Sequence, residues 1–141
     1  KGVDYVAEEL NVNEVVLLKG EGFHLDTFFT PALNKDGYIV ALIICEKILD
    51  PQSKKDLLNY ADTNNIPIFI IPENDALGTK NQTGRFAVNA LPLPGILLRP
   101  NYFSNPAIDE QLSELGIKIK ITPTSQFQLS GGSVHCVTNE L

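Results

Sequence analysis

Two stretches decide the fold: Ile66-Pro67-Ile68-Phe69-Ile70-Ile71-Pro72 and Ile117-Lys118-Ile119-Lys120-Ile121-Thr122-Pro123. Each carries Ile at every second position and then Pro, and the two lie 51 residues apart. Alternating isoleucines turn one β-branched face toward a core. Pro has no N–H for a ladder, so each strand stops there. Working outward, each copy follows a helix opened by Asp50-Pro51 or Asn105-Pro106. The Asp or Asn side chain accepts from the first-turn N–H groups, and Pro at the first helical position has none to lose. These helices run to about Ala61 and about Leu115, and Gly116 closes the second. An apolar strand precedes each helix, Tyr38 to Cys45 and Ile96 to Arg99. A Gly-containing loop and another apolar stretch follow each copy, Phe86 to Leu91 and Ser133 to Val137. The amino-terminal segment keeps the order: helix from Val3 to Leu10, strand from Glu14 to Lys19, a Gly20/Gly22 turn, and strand from Phe23 to Phe29. A strand-helix-strand-strand order thus recurs about every fifty residues. Radial repetition of such modules protects sheet edges. A single open α/β sheet with chance similarity is the alternative.

The chain has 141 residues, of which 43% are hydrophobic and 20% charged, enough for one domain with its own core. Seventeen acidic and eleven basic residues give a net charge of -6. Arg85 and Arg99 are the only arginines, so the clustered cations that nucleic acid demands are missing. The longest apolar run, Tyr38 to Cys45, is too short to span a bilayer. Two cysteines build no disulfide framework, and no signal peptide is legible, which implies a reducing, cytoplasmic setting. The chain opens on Lys1 and contains no Met, which reads as part of a longer polypeptide.

Two segments carry chemistry. In Phe23-His24-Leu25-Asp26-Thr27-Phe28-Phe29, a strand turns His24 and Asp26 to one face. That face is either an acid/base site or the polar side of an edge strand. In Ser130-Gly131-Gly132-Ser133-Val134-His135-Cys136, paired glycines let the backbone turn tightly or approach a ligand. A Cys beyond such a turn is either a nucleophile at a pocket mouth or an inert thiol. Cys45, at the end of an apolar strand, reads as the inert kind. His135 and Cys136, if extended, point to opposite faces, which argues against His135 as the base for Cys136. No Cys or His spacing fits zinc, and Gly131-Gly132 lacks the Lys of a phosphate loop.

Together, His24-Leu25-Asp26-Thr27 and Gly131-Gly132-Ser133-Val134-His135-Cys136-Val137-Thr138 resemble the guanidino-group-modifying enzymes, the pentein superfamily. Its members share an H-x-D motif and, about a hundred residues later, a Gly-rich run ending in a nucleophilic Cys. Here the spacing from His24 to Cys136 is 112. Pro72-Glu73 and Val88-Asn89-Ala90-Leu91 match the intervening pattern. The resemblance implies an α/β propeller of ββαβ modules. About three of its five blades would lie here, as the C-terminal part of one catalytic domain over residues 1–141, with blade boundaries near 35 and 94. It implies that Cys136 attacks a guanidinium carbon, that His24 acts as acid and then base, and that Asp26 and Gly132 contact the substrate. No metal and no cofactor are implied. The implied activity is hydrolysis of arginine or a related guanidino compound. The alternatives are amidino transfer at the same site and, from another class, a non-catalytic α/β binding or regulatory module. The family also draws a His-orienting carboxylate and a second guanidinium ligand from blades ahead of the H-x-D strand. Only 23 residues precede His24, and none carries that motif. The expected partners are therefore a small cationic guanidino substrate and either the missing upstream blades or a second copy of the chain, with no nucleic acid and no membrane.

Overall fold

A computed structural model of the chain describes residues 2–12, 14–22, 24–79 and 81–138. Helix α1 (Gly2–Glu9) comes first. Strand β1 (Phe29–Leu33) and strand β2 (Ile39–Ile44) then form an antiparallel hairpin. Asn34 Oδ1 shapes its turn by accepting from the N–H groups of Asp36 (3.0 Å) and Tyr38 (2.9 Å). Helix α2 (Pro51–Thr63) carries the chain across to β3 (Ile68–Ile70), which lies parallel to β2. A parallel neighbour requires such a crossover, and a helix supplies it while covering one face of the sheet. The sheet order is β1-β2-β3.

A small ribbon, β4 (Gly78–Thr79) with β5 (Gln82–Thr83), intervenes. The pattern then repeats. Strands β6 (Leu91–Leu93) and β7 (Ile96–Arg99) form a hairpin, helix α3 (Pro106–Glu114) crosses over, and β8 (Lys118–Ile121) pairs parallel with β7. The order β6-β7-β8 and the pairing senses match the first sheet. Two complete ββαβ modules therefore stand at 29–70 and 91–121. Positions 35 and 94 fall in the turns of the two hairpins.

The helices form where the local sequence predicts. Asp50 Oδ1 accepts from the N–H groups of Gln52 and Ser53, each at 3.0 Å, and Pro51 is the first helical residue. Asn105 Oδ1 accepts from Ala107 N at 3.2 Å ahead of Pro106. Gly116, with φ +82°, ends the second helix in the left-handed region. Ser53, Leu57 and Ala61 of α2 and Ile108 and Leu112 of α3 are buried at helical spacing. The apolar ones close one core with Ala41, Leu42, Ile43 and Ile44 of β2 and Leu97 of β7.

The two modules touch along their first strands, β1 against β6 and β7. Gly95 N–H, in the second hairpin's turn, donates to Leu33 O at 2.9 Å. Buried charge adds a second tie. Asp75, which follows β3, accepts through Oδ2 from Ser104 N and Ser104 Oγ, both at 2.8 Å. Within the second module the buried Arg99 guanidinium pairs with Asp109 and stacks on Phe103, 3.9 Å from the ring centre. Burial pulls its proton affinity below the ordinary range, and Asp109 opposes that.

Four expected strands do not form as read. Residues 14–19 join no ladder among the described residues. Asp50 N–H donates to Lys19 O at 3.0 Å, and Gly20 bridges Leu49. Phe23 lies outside the described residues. The rest of its stretch folds into a 3-10 turn (Leu25–Thr27), and pairing starts only at Phe29. Residues 86–90 turn back on themselves, with Phe86 at φ +54° and Asn89 N–H donating to Phe86 O at 2.9 Å. Residues 133–137 end in a 3-10 turn (His135–Val137). Alternating apolar residues fit a strand only where a partner strand offers a ladder, and these stretches have none.

Candidate active site

The turns that replaced the expected strands bring the site together. Asp26 sits in the Leu25–Thr27 turn, anchored by Thr27 N–H donating to His24 O at 3.1 Å and by the buried Thr27 and Phe28. Cys136 sits in the His135–Val137 turn. Ahead of it Gly131 adopts φ +82°, a backbone state that side chains resist. At Gly132 a Cβ would lie 3.4 Å from the Cys136 Cβ and 3.9 Å from Sγ, so glycine leaves the sulfur open on that side. The loop is pinned from below by buried Ser133 and Val134, and Ser133 Oγ lies 2.6 Å from Thr124 Oγ1.

Cys136 Sγ donates to Asp26 Oδ2 at 3.3 Å across 110 residues of sequence. His135 Nδ1 lies 2.9 Å from the same oxygen. Asp26 Oδ1 is buried with no donor among the described residues. Beside them opens a cavity of about 370 Å³, lined by His24, Asp26 and His135 together with apolar Leu25, Phe29 and Pro92. His24 and Asp26 thus share one wall, and Asp26 and Gly132 both adjoin Cys136. Cys45 is elsewhere, fully buried in the core, where desolvation pushes its thiol up. Among the described residues no three His, Cys, Asp or Glu side chains group as a metal ion would require.

Two residues of the site were not expected from the sequence. His135 reaches Asp26 because a 3-10 turn rotates neighbours by about 120°, whereas a strand would oppose them. The expectation that His135 and Cys136 diverge is therefore corrected. Asn89 is the second. It is fully buried, and its Nδ2 donates to Cys136 Sγ and to Asp26 O, each at 3.2 Å. Its Oδ1 accepts from His135 N–H (3.1 Å) and Cys136 N–H (3.4 Å). The available signal was one carboxamide inside the apolar run from Phe86 to Leu91, since a buried amide needs partners.

No protein-family model matches the chain, and no curated protein does. Solved structures do, and they share the fold of the guanidino-group-modifying, or pentein, superfamily, so the resemblance seen in the motifs extends to the backbone. The N-terminal domain of ArgZ in its product-bound form, an arginine dihydrolase from the ornithine-ammonia cycle in cyanobacteria, superposes with a TM-score of 0.70 at 26% identity. That match covers 94% of this chain and 44% of the other. AgrE, in a ternary complex with ornithine and NAD+, gives 0.69 at 24% identity over 87% of this chain and 16% of that one. SxtG, an amidinotransferase of saxitoxin biosynthesis from Microseira wollei, gives 0.59 at 14% identity over 96% and 37%. ArgZ is also known as a cysteine-to-serine variant bound to substrate and as an asparagine-to-serine variant covalently bonded to a reaction intermediate. The chain spans less than half the length of the ArgZ domain it matches. Among the described residues no helix is long and apolar enough to cross a membrane.

Proposed function

We propose that these residues form part of a pentein-fold hydrolase acting on the guanidinium group of arginine or a related compound. The observation that carries this reading is the meeting of Cys136 and Asp26 at 3.3 Å, beside a cavity that His24 also lines. A guanidinium is resonance-stabilised and a poor electrophile, so it needs a strong nucleophile and a fixed orientation. The bound guanidinium cation favours loss of the Cys136 thiol proton to solvent, and Sγ adds to the guanidinium carbon as a thiolate. The C–N bond then breaks, and ammonia departs with a proton from His24. Water, deprotonated by His24, adds to the resulting thiouronium carbon, and the C–S bond breaks to restore the thiolate. Asp26 orients the substrate. Its Oδ1 has no donor among the described residues, and a guanidinium fork supplies two N–H groups once the carboxylate turns toward the cavity. Gly132 leaves space beside Sγ for the planar group.

Hydrolysis is preferred to amidino transfer because the likeness to a dihydrolase, at 26% identity, exceeds that to an amidinotransferase, at 14%. In this reading the residues are the C-terminal part of a catalytic propeller. Further blades, from additional polypeptide or a second copy, supply the second guanidinium ligand and the carboxylate that orients His24.

The test is arginine turnover by the protein, with citrulline, ornithine and ammonia all measured. Cys136→Ala lowers turnover by about a thousandfold or more, as loss of a covalent nucleophile does. Cys45→Ala leaves it within about twofold, since that thiol lies in the core. Turnover that survives Cys136→Ala overturns the mechanism.

A further inference from the structure

Asn89 has no role in the chemistry above, yet its side chain spends its whole hydrogen-bonding capacity on the site. A carboxamide has two N–H donors and two acceptor lone pairs. One N–H reaches the Asp26 carbonyl, the other reaches Cys136 Sγ, and Oδ1 takes the backbone N–H groups of His135 and Cys136. One side of the amide thus holds the H-x-D segment and the sulfur, while the other holds the backbone of the cysteine turn. The reverse amide orientation would face oxygen with oxygen at Asp26, so the partners fix which end is nitrogen. Asn89 is itself held in a buried turn that starts at Phe86 in the left-handed region, a state that costs about 1 kcal/mol or more for a bulky residue. Strain of this kind persists only where surrounding contacts enforce it.

We propose that Asn89 is a positioning residue for the nucleophile: its carboxamide clamps the two catalytic segments together and donates a hydrogen bond that stabilises negative charge on Cys136 Sγ. This deepens the reading of Cys136 as the nucleophile and rests on it. A donor aimed at sulfur favours the anion over the thiol, and it works against the Asp26 carboxylate, whose Oδ2 lies 3.3 Å from Sγ and 2.9 Å from His135 Nδ1. Asn89→Asp keeps the shape and replaces that donor with an anionic oxygen. Asn89→Ala removes the clamp altogether.

The experiment is alkylation by iodoacetamide across a pH series, with each thiol followed by peptide mass in the wild type and both variants. Cys45, sealed in the core, reports the fold: it stays unlabelled while the protein is native. The expected result is that half-maximal labelling of Cys136 moves up by about 1 pH unit or more in Asn89→Asp, and upward in Asn89→Ala, with Cys45 silent. An unchanged Cys136 profile in a variant whose Cys45 stays silent overturns the proposal. If both variants label Cys45 as readily as Cys136, Asn89 is only a brace of the core, and the proposal likewise falls. The readout needs no substrate. A protein that shifts as expected but turns over no guanidino compound would defeat the hydrolase reading and leave the clamp standing.

Discussion

Cys45 and Cys136 carry the same thiol in opposite surroundings. Cys45 is fully buried, and desolvation pushes its thiol up. Cys136 is exposed and held between a carboxylate and a carboxamide. At neutral pH a limiting dose of iodoacetamide therefore modifies Cys136, and Cys45 reacts only when denaturant opens the core. Peptide mass after a timed pulse checks this, and equal labelling of both thiols in native protein refutes the assignment of environments. The residue types of this site were legible in the sequence: His24, Asp26, Gly132 and Cys136 were all singled out by motif. That they meet at one site is what the resemblance to the guanidino-group-modifying enzymes implies; the local pattern alone offers only alternation in a strand, which puts His24 and Asp26 on one face and says nothing of Cys136. Strand geometry turns His135 away from Cys136, and the 3-10 turn instead brings its Nδ1 to Asp26.

At the scale of elements, the helices were readable because their signals are local. Asp50-Pro51 and Asn105-Pro106 each satisfy first-turn N–H groups from the residue beside them, whatever the rest of the chain does. Asn105→Ala should cost about 1 kcal/mol in urea unfolding. Asp50 adds a charge. The backbone N–H and hydroxyl of Ser53 hold its carboxyl below the usual carboxylate range. A carboxyl whose folded value is depressed stabilises the fold above its unfolded value, about pH 4, and loses that contribution as pH falls through the folded value. Asp50→Asn keeps a capping oxygen but has nothing to titrate. Its Tm should therefore fall less steeply than wild type as pH drops below about 4, as scanning calorimetry would show. Identical acid limbs would mean that other carboxylates dominate. Strands were less readable, because their stability lies in a partner that the local sequence does not name. The repeat from Ile66 and from Ile117 succeeded since both copies do find a ladder, β3 on β2 and β8 on β7.

Across the whole molecule, the site residues occupy related places in a repeat. Asp26 lies just ahead of β1, and Asn89 lies just ahead of β6, the equivalent first strand of the second module. Cys136 lies beyond β8, in a 3-10 turn like the one that carries Asp26. Each module thus delivers one polar side chain from the segment leading into its first strand, and the site depends on β1 staying against β6. Asp75 ties the two modules at a second place. Its fully buried carboxylate reaches from the end of the first module to Ser104 in the second, taking both its N–H and its hydroxyl. Truncating this buried side chain deletes both hydrogen bonds to Ser104 and leaves a gap at its place, which costs about 1–3 kcal/mol. Asp75→Ala should lower urea stability by that amount. It should also slow turnover under conditions where the variant is still folded, because the tie lost is the one between modules. The measurements are urea unfolding and arginine turnover on the same sample, with Cys45 labelling as the test of an intact core. Lost stability with undiminished turnover would show that β1 and β6 hold the site without help. Unchanged stability would show that the Asp75 carboxylate contributes no net tie at all.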